Sequence, residues 1–168
     1  SFNEFRASKT LMDTLLGLND SRMPIFFRPT PATENTANPV YVGLPNGLGD
    51  VEALQFNGGP QFQSRIGSLY FENAVSSQGL NIAKGVLMTY AELQFLLAEA
   101  AEKGLITGSA ETYYTNGING SFAFYGLTVP AAYLAQNQVA YTGTSMQKLH
   151  KIGFQKWISL YFQGMEAW

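Results

Sequence analysis

Glu92 and Glu99 are the residues of this sequence whose type and spacing come nearest to a catalytic pair. Two carboxylates flanking one bond are the machinery of glycoside hydrolysis, and a chain with few acids and aromatic-rich loops is a place to look for them. Both lie in a stretch patterned as a helix, which sets their backbones about 10.5 Å apart at 1.5 Å per residue. That exceeds the roughly 5–9.5 Å between glycosidase carboxyl groups. Thr89 and Glu92 also stand in T-x-x-E spacing, in which the Thr hydroxyl accepts from the Glu amide and the carboxylate returns to the Thr amide. The pattern therefore makes Glu92 a helix cap and gives Glu99 a bond to a neighbouring loop.

Other chemistries find less. Ser145-x-x-Lys148 matches S-x-x-K without a following K-T-G, and reads as a helix start. His150 is the only histidine, no G-x-S-x-G elbow accompanies it, and it reads as a polar residue near a helix beginning. Asp50-Val51-Glu52 offers two oxygens to an irregular calcium site, and no H-E-x-x-H or EF-hand loop is present. Gly47-x-Gly49 lacks the third glycine and the strand–helix context of a dinucleotide loop. No catalytic residue, metal or cofactor is implied.

What remains is a set of aromatics among turn-forming residues: Phe26, Phe27, Tyr41, Phe56, Phe62, Tyr70 and Phe71. Aromatic faces stack on apolar ligand faces, and loops on a rigid frame are where binding residues concentrate. Tyr41, Phe56, Phe62 and Tyr70 are the candidate ligand-binding residues. For each, packing of the loop onto the helices is the competing role.

The elements that must position them divide the chain. Residues 1–17 place Phe5, Met12, Leu15 and Leu16 at helical spacing, with Ser1 and Glu4 as a capping box and Gly17 as the stop. From Leu18 onward turn chemistry dominates: Met23-Pro24, Arg28-Pro29-Thr30-Pro31, Asn38-Pro39, Leu44-Pro45-Asn46-Gly47 and Gly58-Gly59-Pro60. Ile25–Phe27, Val40–Val42 and Leu69–Phe71 could be isolated strands, but the prolines argue against a central sheet. A structureless stretch of this length points to function or to packing on a rigid support.

Thr89 opens a helix carrying Leu93, Leu96, Leu97 and Ala100, with Gly104 as its left-handed stop. Ser109 opens a second, with Ala110, Tyr114, Gly117, Ile118 and Ser121 inward, ending near Phe124 before Gly126. The short connection makes the pair antiparallel, and the small and large residues fit one tetratricopeptide unit. Gly117 and Gly120 each cost about 1 kcal/mol in a helix interior, a cost recovered by close helix contact. A short helix follows over Val129–Val139 with Pro130 in its first turn, and the last stretch aligns Phe154, Trp157, Ile158, Tyr161 and Met165. The expected fold is mainly α, tetratricopeptide-like helical hairpins with a long irregular loop region: a loop-rich lobe over 18–87 and a helical-hairpin region over 88–168.

The chain has 168 residues, a formal charge of -2 and no cysteine, so disulfides and thiolate metal sites are excluded. No basic run could neutralise a phosphate backbone, which excludes nucleic acid as a partner. Charged residues make up only 13 %, roughly half the usual share of about 25 %. That suits a surface partly covered by other protein, or one that handles a neutral ligand. No apolar run approaches the ~20 residues of a membrane span.

Four blocks together carry a family resemblance: Asn19-Asp20-Ser21-Arg22-Met23-Pro24, Tyr41-Val42-Gly43-Leu44-Pro45-Asn46-Gly47, Met88–Gly104, and Gln155-Lys156-Trp157-Ile158 through Gly164-Met165-Glu166-Ala167-Trp168. In this order, over essentially the whole chain, they resemble the SusD/RagB-like outer-membrane lipoproteins. The resemblance implies a surface-exposed lipoprotein of the outer membrane that captures oligosaccharides, or in some members peptides. It implies delivery to a SusC-like TonB-dependent transporter, for which the protein acts as a lid and performs no chemistry. Family members are longer and begin with a lipidated cysteine, so the chain is expected to be an internal fragment whose membrane attachment is a lipid anchor outside it. The family's ligand residues lie outside the matched blocks, so none is carried over. The competing readings are a helical-repeat protein–protein interaction module without a small ligand, and a glycoside hydrolase.

Overall fold

A computed structural model describes residues 5–67 and 86–163. The chain divides into two compact units, residues 1–84 and 85–168. It is mainly α, with helical hairpins and a long loop region, as the hydrophobic periodicity predicts.

The first unit is built around helix α1 (Lys9–Gly17), which buries Leu11, Met12 and Leu15. The helix begins later than its periodicity suggests, because residues 5–8 are committed to extended pairing. The Ala7 amide donates to the Ser64 carbonyl (3.0 Å), the Leu44 amide to Ala7 (2.7 Å) and the Lys9 amide to Leu44 (2.9 Å). Phe5 and Leu16, expected on the inner face, are exposed, and the Ser1–Glu4 capping box lies outside the described residues. Nor is Gly17 the stop. Asn19 takes the left-handed conformation (φ 48°), while the Asp20 amide closes the turn onto the Leu15 carbonyl at 2.9 Å.

Helix α2 (Met23–Phe26) has Pro24 in its first turn and runs into strand β1 (Phe27–Arg28). Of the strand expected over Ile25–Phe27, only Phe27 is extended. Phe26 and Phe27 are buried edge-to-face, with centroids 6.4 Å apart, which gives these two loop aromatics to the core. Helix α3 (Asp50–Gln55) and two 3₁₀ turns, Phe56–Gly58 and Pro60–Phe62, lead to strand β2 (Arg65–Ile66), antiparallel to β1. Val40–Val42 forms no named strand, but the Thr30 amide donates to Val40 and the Ser64 amide to Val42, each at 2.8 Å. Leu69–Phe71 lies outside the described residues.

The second unit is the helical hairpin. Helix α4 (Tyr90–Glu102) is capped by Thr89, whose hydroxyl accepts from the Glu92 amide at 3.0 Å, and Gly104 (φ +71°) follows it. Helix α5 (Ala110–Phe124) is capped by Ser109 and followed by Gly126 at φ +73°. These agree with the turn and cap signals in the sequence. Helix α6 (Ala131–Leu134) is shorter than expected, with Pro130 as its N-cap. Helix α7 (Ser145–Ser159) opens with a Thr144–Gln147 capping box, so Ser145 is a helix start. Phe95, Tyr114, Ile118, Phe122, Tyr133, Ile152 and Ile158 form the core, and the Tyr114 hydroxyl donates to the Val139 carbonyl at 2.7 Å.

Two helices turn differently from their apolar pattern. On α4 the buried residues are Ala91, Glu92, Gln94, Phe95 and Ala98, whereas Leu93 and Leu96 are exposed. On α7 the buried set is Ile152, Gln155, Ile158 and Ser159, and Trp157 from the expected stripe is exposed. Met165 lies outside the described residues.

The helix glycines behave as their cost suggests. A Cβ on Gly117 would lie 2.7–2.8 Å from three atoms of the Phe95 ring, and a Cβ on Gly120 would lie 2.7 Å from the Tyr90 ring. Phe95 is fully buried and cannot retreat, whereas Tyr90 is exposed and can swing away. Gly117→Ala should therefore destabilise by roughly 1–3 kcal/mol through overpacking. Gly120→Ala should be neutral, or stabilising by up to about 1 kcal/mol. Urea unfolding of the two variants checks the contrast.

A polar cluster ties the end of α4 to the start of α7. The Tyr141 hydroxyl donates to the Glu102 carboxylate at 2.5 Å, and the Lys148 ammonium sits 5.0 Å above the Tyr141 ring. Hydrogen bonds from Tyr141 and Ser145, with Lys148 nearby, hold the Glu102 carboxyl below its ordinary value of 4.5. A depressed folded value means this stabilisation is complete above 4.5 and is lost as pH falls through the folded value. Tyr141→Phe should flatten that part of the stability–pH curve, read by denaturant unfolding on both sides of 4.5.

Candidate functional site

Gln63 holds the loop that carries Val51 and Leu54, the most exposed large apolar side chains among the described residues of the first unit. It is buried, and its side-chain amide donates to the carbonyls of Ala53 (2.8 Å) and Phe56 (2.9 Å). Its Oε1 accepts from the Arg6 guanidinium at 3.2 Å. One side chain thus fastens both the end of α3 and the first 3₁₀ turn to the extended segment beneath them. Glu52 closes the other end, accepting from the Gly49 amide at 3.0 Å, a backbone version of the capping box.

Asn57 turns the loop back. It adopts φ 55°, within the left-handed region that asparagine tolerates, and its amide donates to the Phe62 carbonyl at 2.8 Å. Gly58 follows at φ +86°, and a Cβ there would lie 3.3 Å from the Phe62 ring, so that one edge of the ring rests over bare backbone. The result is a rigid loop presenting Phe62 (46 % exposed), Leu54 (62 %) and Val51 (66 %) to solvent.

Phe56 and Phe62, two of the four sequence candidates, are therefore brought into one loop, the first half-buried and the second exposed. Tyr41 has a different setting. It is half-buried, and its phenol is raised above the ordinary range by burial and then by the Glu34 carboxylate. Glu34 in turn bridges Arg28 (2.5 Å) and Arg65 (2.8 Å), so Tyr41 borders an ion-pair network. Tyr70 lies outside the described residues.

Val51, Leu54 and Gln63 were not among the sequence candidates. The signal for the first two was present, since Val51 and Leu54 stand three apart behind Gly49 and Asp50, a helix-start pattern masked by the surrounding turn residues. Nothing local marks Gln63, whose role depends on carbonyls that only the folded loop brings to it.

The two carboxylates of the hydrolase candidate pair have separate settings along α4. Glu92 caps only through its amide; its carboxylate is buried and its Oε2 is without a hydrogen bond, so the reciprocal half of the expected capping box does not form. Glu99 pairs with Lys103 along the helix rather than with a loop. Among the described residues no group of three or more His, Cys, Asp or Glu could hold a metal ion, and no helix is long and apolar enough to cross a membrane.

Comparison with known proteins places this architecture. A SusD-like structure from Bacteroidetes AC2a superposes with a TM-score of 0.68 at 22 % identity, covering 96 % of this chain and 41 % of that one, a likeness of fold. A chitin-binding protein superposes with a TM-score of 0.68 at 27 % identity, covering 95 % of this chain and 35 % of its own. A SusD homologue from Bacteroides fragilis gives 0.72 at 26 % identity, with 92 % and 36 % covered. The chain thus spans 35–41 % of the length of these three structures. No curated protein matches it. The family described as starch-binding, associating with the outer membrane, matches residues 2–168, and the chain belongs to this SusD-like family.

Proposed function

We propose that this chain is part of a non-enzymatic nutrient-binding protein at the outer-membrane surface, which captures glycans or oligosaccharides, or peptides, and delivers them to a SusC-like TonB-dependent transporter. The observation that carries the reading is the loop over residues 50–62. It is pinned by Gln63 and exposes Phe62, Leu54 and Val51. A rigid aromatic platform binds sugar rings by stacking on their CH faces, and rigidity limits the ordering cost of binding. The kinship with a chitin-binding protein supports a saccharide ligand. The family supports an outer-membrane location, a lipid anchor elsewhere in the protein, and a role as a piece of a larger SusD-like domain.

Calorimetry of the full-length protein against a panel of neutral glycans tests it. Phe62→Ala should weaken binding about tenfold, the loss of one stacking contact of ~1.4 kcal/mol. Because Phe62 is exposed, thermal stability should hold. Full affinity in that variant would remove the loop from the ligand site.

A second reading, a helical-repeat protein–protein interaction module without a small ligand, draws on the exposed row of Tyr90, Leu93 and Leu96 on α4. Such a row suits helix-on-helix contact with protein. On this reading the full-length protein should bind no glycan or peptide of the panel, and Leu93→Glu with Leu96→Glu should abolish co-purification of a protein partner. Glycan binding by the protein, or unchanged co-purification in the double variant, would set this reading aside.

A further inference from the structure

The turn Leu44-Pro45-Asn46-Gly47 contains a chemically labile pair. Asparagine is among the thermolabile residues, and a glycine after it leaves its backbone nitrogen free to approach the asparagine side-chain carbonyl with no side chain in the way. The sequence has four such pairs: Asn46-Gly47, Asn57-Gly58, Asn116-Gly117 and Asn119-Gly120. The pairs are covalently identical, so the fold decides which of them reacts.

Three of them are restrained. Gly117 and Gly120 lie inside α5, where each amide is committed to the carbonyl four residues back, so a ring at Asn116 or Asn119 closes only after the helix ladder opens. Asn57 is exposed but tied down: its Nδ2, the group that would leave, donates to the Phe62 carbonyl at 2.8 Å, in the turn that its φ of 55° sets. Asn46 has neither restraint. It and Gly47 are exposed turn residues, and among the described residues the Gly47 amide, the nucleophile, donates to no acceptor. The Asn46 side chain makes one long bond, its Oδ1 accepting from the Ser8 hydroxyl at 3.4 Å. That oxygen gathers negative charge as the nitrogen attacks, so the hydroxyl favours the step.

We propose that Asn46 is a deamidation site, the one of the four pairs that reacts fastest in the folded protein. The Gly47 nitrogen gives its proton to solvent base and bonds to Asn46 Cγ; the Cγ–Nδ2 bond breaks, ammonia leaves, and a succinimide ring joins the two residues. One water then opens the ring, giving aspartate by attack at Cγ and isoaspartate by attack at the main-chain carbonyl. The balance is one water consumed and one ammonia released. Either product puts a carboxylate beside Ser8, the N-cap of α1, where negative charge is favourable. The isoaspartate form also lengthens the backbone by one CH₂ between two fixed points: Leu44, paired with Ala7 and Lys9, and Gly49, whose amide donates to Glu52.

Incubation of the folded full-length protein at mildly alkaline pH, followed by peptide mass mapping and isoaspartyl methyltransferase labelling at intervals, tests this. Conversion at Asn46 should outrun that at Asn57, Asn116 and Asn119 by at least about fivefold, the factor set by one hydrogen bond lost on the way to the ring. In denaturing urea the four rates should draw together, because the restraints are gone. Asn46→Gln, which would need a six-membered ring, should remove most of the labelling at unchanged melting temperature. Asn46→Asp should melt with wild type, and protein carrying isoaspartate at position 46 should melt below both. A native rate at any of the other three pairs that equals the rate at Asn46 overturns the proposal. So does a preference for Asn46 that persists undiminished in urea, since the local sequence and not the fold would then set it. Isoaspartate-bearing protein that melts with wild type overturns the claim that Leu44 and Gly49 fix the ends of the turn.

Discussion

Asp20→Asn is expected to lower the unfolding free energy by about 3–5 kcal/mol, because it takes the buried carboxylate away from a buried guanidinium that it meets through three hydrogen bonds. Arg22 and Asp20 are both completely buried as side chains. The carboxylate accepts three times from one residue: Oδ1 from the Arg22 amide (2.9 Å) and Nε (3.0 Å), and Oδ2 from an Arg22 terminal nitrogen (2.6 Å). Asparagine keeps one acceptor and turns an NH₂ toward the guanidinium, so a donor faces a donor. The pair itself need not be worth this much, since burying both charges cost desolvation in the first place. The paired change Asp20→Asn with Arg22→Met should therefore recover much of the loss. Denaturant unfolding of the single and double variants separates the two statements: if the double variant is as unstable as the single, the missing counter-charge is not the cause.

How far the sequence could be read depends on whether a feature's cause is local. The caps at Thr89, Ser109 and Thr144 and the left-handed stops at Gly104 and Gly126 involve residues within one turn of each other, and all were legible or nearly so. The start of α1 was not. Residues 5–8 suit a helix by spacing, but their backbone is claimed by Leu44 and Ser64, partners that nothing in the local pattern announces. Periodicity also finds a stripe without saying which way it faces. On α4 the close approach of α5 through Gly117 seats Phe95 inside, which turns Leu93 and Leu96 outward and carries Glu92 and Gln94 in. The candidate site divides along the same line. Aromatics among turn residues mark Phe56 and Phe62, but only the folded loop separates exposed Phe62 from buried Phe26 and Phe27, and only it brings the Ala53 and Phe56 carbonyls to Gln63.

Gly43→Ala and Gly67→Ala should be the most disruptive single-methyl additions among the described glycines of the first unit, because what they meet is backbone. A Cβ on Gly43 would lie 2.4 Å from the Lys9 Cα, 2.7 Å from its nitrogen and 3.0 Å from the Ser8 carbonyl carbon. One on Gly67 would lie 1.9 Å from the Ile25 carbonyl oxygen. A side chain in the way can rotate, but a backbone atom moves only with its hydrogen-bonded neighbours. At Gly43 those are the Leu44 amide on Ala7 (2.7 Å) and the Lys9 amide on Leu44 (2.9 Å), which set the start of α1. At Gly67 it is the glycine's own amide on the Phe26 carbonyl (2.7 Å), beside the β1–β2 pairing. Overpacking alone costs about 1–3 kcal/mol. Each lost backbone bond that leaves a buried group unmatched adds roughly another 1–3. Gly153→Ala supplies the opposite sign: the position is inside α7 with nothing within 4 Å of a new Cβ, so it should stabilise by roughly 0.5–1 kcal/mol. Unfolding curves for the three variants rank them, and a Gly43→Ala protein as stable as wild type would mean that the extended segment can separate from α1 without cost, which would also loosen the frame on which Gln63 holds the loop.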